Sequence, residues 1–140
     1  MRNVETNYAN TDFDLRSLKA FEALNSELSA VCCVLHYAET QDGTWWVSYE
    51  ADRLNDFAPN DILSFIEVID GLSDTAKKQL ADCTTRDFNV GIHCWDTCAY
   101  NLSLPSKIIE AVSNAGCSIS ITLYPMREPD GTPKIDEDVG

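Results

Sequence analysis

The sequence predicts an α+β fold, a two-layer sandwich of about four largely antiparallel strands with three to four helices packed on one face. Three observations carry this prediction. Segments with helical apolar spacing are interleaved along the chain with segments of period two, so helices and sheet belong to one unit. An Asp42-Gly43 turn separates two β-rich runs, the signature of a tight hairpin. The strand-like runs alternate apolar and polar residues, as in a sheet with one dry and one wetter face.

Each element has its own warrant. Residues 1–11 are polar and read as a flexible N-terminal segment. Residues 14–26 set Leu15, Leu18, Phe21 and Leu24 on or near one helical face, with Asp12 or Asp14 as cap. Residues 28–38 are rich in β-branched and aromatic types and read as a strand. The return strand across the turn is residues 44–50, TWWVSYE. Residues 60–70 carry Ile62, Phe65, Ile66 and Ile69 at i, i+3, i+4 and i+7, an amphipathic helix ending at Gly71. Residues 74–82 form a second helix, capped by Ser73 and turning Ala76 and Leu80 inward. Residues 86–95 alternate Phe88, Val90, Ile92 and Cys94 against Asn89, Gly91, His93 and Trp95, a half-buried strand. Ser103 is positioned to cap a helix containing Ile108, Ile109 and Val112 and closed by Gly116. Residues 117–124 make the last strand. One domain thus covers residues 12–125, and residues 126–140 form an acidic tail expected to be mobile.

Charge sets the class of partner. The chain holds 23 Asp and Glu against 10 Lys and Arg, a net charge of −13 over 140 residues. Its 44% hydrophobic content is ordinary for a folded protein, so the acidity does not imply disorder. A field of this sign repels nucleic acid and anionic membrane and attracts basic proteins or cations. A solubilising coat is the plain alternative. The first residues carry no apolar run and no stretch approaches a membrane span, so a cytoplasmic protein is expected. The six cysteines lie mostly inside apolar runs and are expected as small buried hydrophobes rather than a disulfide framework.

No catalytic signature is present: no Gly-rich phosphate loop, no paired-histidine zinc motif, no Gly-x-Ser-x-Gly elbow. His93, Cys94 and Cys98, with Cys32, Cys33 and His36 from a neighbouring strand, are the residue types zinc takes. Adjacent strand residues point to opposite faces, however, and Cys-x-x-x-Cys is not the usual knuckle spacing. Cys32 and His36 are four apart on one strand, too far for a nucleophile and its base. No catalytic residue, metal site or cofactor is therefore assigned.

Alternation does suggest a binding face. If Val31, Cys33 and Leu35 face the helices, then Cys32, Val34 and His36 face away, with Trp46, Ser48, Glu50, His93, Trp95, Ser120, Thr122 and Tyr124. Aromatic beside polar residues are what interfaces favour. A single bulge would invert the assignment, and a covering segment would make the face a second core. Acidic runs accompany it: Glu50, Asp52, Asp56 and Asp61 after the hairpin, Glu67, Asp70 and Asp74 on the helices, and Asp130, Asp136, Glu137 and Asp138 in the tail.

From ILSFIEVIDGL through DFNVGIHCW to LSLPSKIIEAVSNAGCSISITLYP, the chain resembles the bacterial family called domain of unknown function 4279. The shared points are Trp46 in a strand, a helix at Ile62 to Leu72, a strand at Phe88 to Ile92, a capped helix at Leu102 to Ala115, and a terminal strand from Ile119 to Tyr124. The family's Gly-Pro-containing opening is replaced here by an amphipathic segment. The resemblance implies a small cytosolic bacterial protein and carries over no catalytic residue. In general character the chain is similar to immunity proteins that neutralise bacterial toxins.

The expected function is a non-enzymatic acidic inhibitor, an immunity protein that occludes the cleft of a basic toxin such as a nuclease. Trp46, Glu50, Asp52, Asp56 and Trp95 are the contact candidates, with His36, His93 and Tyr124 as secondary ones. Three alternatives stay open: a phage-type mimic of nucleic acid that blocks a host defence enzyme, an enzyme or small-ligand domain using the His36, His93 and Trp face, and a zinc-stabilised structural module.

Overall fold

A computed structural model describes residues 3–51 and 57–134. In chain order the elements are β1 (Asn7–Ser17), α1 (Glu22–Ser29), β2 (Cys32–Glu39), β3 (Trp45–Ala51), α2 (Ala58–Asp70), α3 (Asp74–Asp82), β4 (Thr85–Cys94), α4 (Ser106–Asn114) and β5 (Ser118–Pro125). The described strands form one five-stranded sheet in the order β2-β3-β1-β4-β5. Neighbours are antiparallel except β4 and β5, which run parallel with α4 as the crossover. The fold is α+β as expected, but the sheet is mixed and has one strand more than the expected four.

The additional strand is β1, at the centre of the sheet. Its sequence was expected as a polar segment to residue 11 followed by a helix over 14–26. Instead Thr11, Phe13, Leu15 and Ser17 are buried on one face while Asp12, Asp14 and Arg16 lie on the other. Phe13 and Leu15, two positions apart, share a face only in a strand, and Leu18, which the helix would have buried, is 74% exposed. Pairing with β3 on one side and β4 on the other decides the matter, because each side supplies backbone hydrogen-bond partners that the isolated segment lacks. The helix shrinks to α1, which buries Leu24 and Leu28.

The core lies between the sheet and the helices. Phe13 stacks on Phe88 with ring centroids 4.8 Å apart and meets Phe65 of α2 at 5.6 Å. Tyr49 is fully buried and donates its hydroxyl to Asn25 Oδ1 at 2.7 Å, tying β3 to α1. Polar groups in this layer are partnered as well. The Tyr8 hydroxyl bonds Asp61 and, at 2.6 Å, Thr11 Oγ1. Asp61, expected as part of an acidic surface, is therefore a buried residue, 2% exposed, at the start of α2.

The hairpin forms as expected, with Gly43 at φ 84° and the Thr40 N–H donating to the Thr44 carbonyl at 2.8 Å. Ser73 caps α3 by accepting from the Ala76 N–H at 3.1 Å. Ser103 does not cap α4; Pro105 occupies that position, its fixed φ suiting the entry to a helix. Residues 126–134, read from sequence as part of the tail, are tied to the sheet. The Met126 N–H donates to the Cys94 carbonyl at 3.0 Å, and Arg127 pairs with both oxygens of Asp96 at 2.7 Å. Asp136, Glu137 and Asp138 lie outside the described residues. Among the described residues, no helix is long and apolar enough to cross a membrane.

Candidate functional site

The face of the sheet away from the core is built from cross-strand rows. One row runs Cys33, Glu50, Asp12, Asn89, Ser120 across all five strands. The next runs His36, Ser48, Asp14, Asp87, Ser118, and a third places Ala38, Trp46, Arg16 and Thr85 side by side. Directly opposite residues have Cβ atoms about 5 Å apart. Glu50, Asp12 and Asp14, with the buried Asp87 beside them, therefore form a compact carboxylate group at the centre of this face.

Hydrogen bonds fix most of these carboxylates. Asn10 Nδ2 donates to Asp12 Oδ1 at 3.0 Å, the Ser48 hydroxyl to Asp14 at 2.6 Å, and the Ser118 hydroxyl to Asp87 at 2.7 Å. Crowding has an electrostatic consequence. Burial, and after it the charges of Asp14 and Glu50, push the Asp12 carboxyl up to about 7. Burial also raises Asp14, reinforced by Asp87, while the Ser48 hydrogen bond and the Arg16 charge work against the rise. The face thus holds a surplus of negative charge that a cation or a proton would relieve.

The sequence-predicted residues are distributed unevenly over this face. Glu50 lies at its centre. His36 stacks on Trp46 at 4.4 Å and 28° near the β2 edge. His93 and Tyr124 are register partners at the far end of β4 and β5, with ring centroids 6.4 Å apart. Trp95 does not join Trp46. Trp46 pairs with Arg16, and Arg16 with Thr85, which precedes Trp95 by ten positions along the chain. At about 3.3 Å per residue the backbone positions of the two tryptophans are some 30 Å apart along the strand direction. Trp95 instead lies under the Arg127 guanidinium, 5.3 Å from its ring centre, and so holds the segment after β5. Asp52 and Asp56 lie outside the described residues.

Three expected positions are inverted. Cys32 and Val34 pack toward the core, paired with Ala51 and Tyr49, while Cys33 is exposed on the open side. The register slips between Val34 and His36, a bulge at Leu35 that returns His36 to the open face. The cysteines divide accordingly: Cys32 and Cys83 are buried, Cys94 and Cys117 half-buried, and Cys33 and Cys98 exposed. Among the described residues, no group of three or more His, Cys, Asp or Glu is arranged to hold a metal ion.

Sequence reasoning missed Asp12, Asp14, Asp87, Asn10 and Asn89. The available signal was the alternation in TDFDLRS, which sets two aspartates and an arginine opposite Phe13 and Leu15.

At the end of the open face lies a cleft of about 550 Å³, walled by Asn10, Glu50, His93, Tyr124, Met126 and Lys134 among others. Gly91 lies beside two of these walls, Asn10 and Tyr124. A Cβ there would stand 2.7 Å from Asn10 Oδ1 and 3.0 Å from Tyr124 Cε2, so the missing side chain lets the Tyr124 ring lie against the sheet.

No family model, no curated protein and no solved structure matches this chain.

Proposed function

We propose that this protein is a non-enzymatic, cytoplasmic inhibitor of the immunity type, which binds a basic partner, a bacterial toxin such as a nuclease, and occludes its active cleft. The observation that supports this reading is the carboxylate group Glu50, Asp12 and Asp14 on adjacent strands of the open face, backed by the buried Asp87. Like charges directly opposite destabilise a sheet, so this arrangement costs the folded protein free energy. Lysine and arginine side chains lining a toxin's cleft would remove that repulsion and form charge-assisted hydrogen bonds. The acidic field would also speed encounter, and the His36–Trp46 stack offers an aromatic contact beside the charges. The resemblance to the domain of unknown function 4279 family, carried by Trp46 and the helix and strand spacing after it, belongs to the same proposal.

The test is capture from native lysate on immobilised protein at low and at high salt. A basic protein held at low salt and released at high salt is expected. Glu50→Lys combined with Asp14→Asn should abolish capture, whereas reversal of the exposed helical residues Glu67 and Asp70 should not. Capture that survives the first variant, or that is indifferent to salt, would overturn the reading.

A further inference from the structure

The cleft at the end of the open face carries opposite charges on its walls, and these are not spent on each other. Glu50 lines one side and Lys134 another, with His93 and Tyr124 between strands β4 and β5. Among the described residues the one salt bridge is Arg127 with Asp96, and the side chains of Glu50, His93 and Lys134 make no hydrogen bond or ion pair. The walls are nevertheless positioned. Asn10 is held by Asp12, the Tyr124 ring rests over Gly91, and the Lys134 N–H donates to the Met126 carbonyl at 2.9 Å. The volume of about 550 Å³ falls in the range of small-molecule sites, roughly 300–1,000 Å³.

A purely cationic ligand would satisfy Glu50 and be repelled by Lys134; a purely anionic one would meet the reverse. A zwitterion answers both. Asp12 stands directly across from Glu50, with Asp14 next on the same face, so the Glu50 side of the cleft favours the larger share of positive charge. The exposed Tyr124 ring is a surface on which a planar guanidinium can lie. We propose that this cleft binds a small zwitterion of the basic amino-acid class, its side-chain cation between Glu50 and the Tyr124 ring and its carboxylate at Lys134. The site needs no protein partner, so it stands or falls independently of the inhibitor reading.

The experiment is a nuclear magnetic resonance titration of the full, nitrogen-labelled chain with L-arginine, and in parallel with agmatine, which keeps the guanidinium and lacks the carboxylate. Saturable shifts are expected at the amides of Asn10, Gly91, His93 and Tyr124. Agmatine should bind about tenfold more weakly, and Glu50→Gln and Lys134→Ala should each weaken L-arginine by a similar factor. No saturable shift, shifts centred away from the cleft, agmatine binding as tightly as L-arginine, or affinity unchanged in both variants would each overturn the proposal. The comparison of the two ligands on the unaltered chain holds even where a variant fails to fold.

Discussion

Asp12 and Glu50 stand directly across from each other in the β1–β3 register, two carboxylates on the same side of neighbouring strands. Asn89 flanks Asp12 from β4 and Asn10 donates to it, while Asp14 follows on the same face of the same strand. The Asp12 proton is consequently held far more tightly in the folded chain than in a free aspartate. Burial is the larger cause of that tighter hold, with the charges of Asp14 and Glu50 adding to it; the Asn10 hydrogen bond works the other way.

Stability should fall as pH rises through neutrality. Unfolded, Asp12 titrates near the ordinary value of about 3.9. Folded, it is pushed up to about 7. The folded state thus binds the proton more strongly, and the stability this provides is complete below about pH 4 and lost as pH rises through 7. Asp12→Asn keeps an acceptor for Asn10 and removes the charge. Urea unfolding should show the variant more stable at pH 8 by roughly 1–2 kcal/mol, after allowance for solvent screening of a half-buried group, with a shallower pH slope. Equal slopes for the two proteins would remove Asp12 as the source.

Phe13→Ala should be severely destabilising. The ring is fully buried, stacked on Phe88 and touching Phe65, so its loss leaves a cavity where three elements meet. A cost of about 3–5 kcal/mol is expected from chemical denaturation. The same substitution at Leu18, 74% exposed, should change stability by less than about 0.5 kcal/mol. This pair of variants separates the strand reading of β1 from a helical one.

Tyr8→Phe removes a hydroxyl that bonds both Thr11 and the buried Asp61. Loss of about 1–3 kcal/mol is expected, read as a lowered denaturation midpoint with an unchanged slope. A neutral outcome would mean that Asp61 is satisfied without Tyr8.

Arg127→Ala should loosen the segment after β5 without unfolding the domain. Arg127 pairs with Asp96, whose carboxyl it holds down to about 2, and lies over the Trp95 ring. Hydrogen exchange is expected to quicken at the Met126 and Lys134 amides, and Trp95 fluorescence to shift, while the melting temperature stays nearly constant. Unchanged exchange at both amides would show that the backbone hydrogen bonds alone secure this segment.

Local signals were enough for much of the molecule. Asp42-Gly43 specified the hairpin because a tight turn needs positive φ at its glycine, and Ser73 specified the start of α3 because its hydroxyl satisfies an otherwise unpaired N–H. The apolar spacing of Ile62, Phe65, Ile66 and Ile69 and the alternation from Phe88 to Ile92 likewise carried into α2 and β4. Each of these depends on residues a few positions apart. What only the tertiary structure decided is long-range. Leu15, Leu18, Phe21 and Leu24 suit a helix while the alternation through Phe13 and Leu15 suits a strand, and it was pairing with β3 and β4 that made Phe13 and Leu15 central sheet residues. That choice brought Asp12 and Asp14 beside Glu50 and Asp87, a group of carboxylates scattered along the chain that no local pattern joins. The bulge at Leu35 decided in the same way that Cys32 packs inward while His36 faces out, since one slipped position reverses every side chain beyond it.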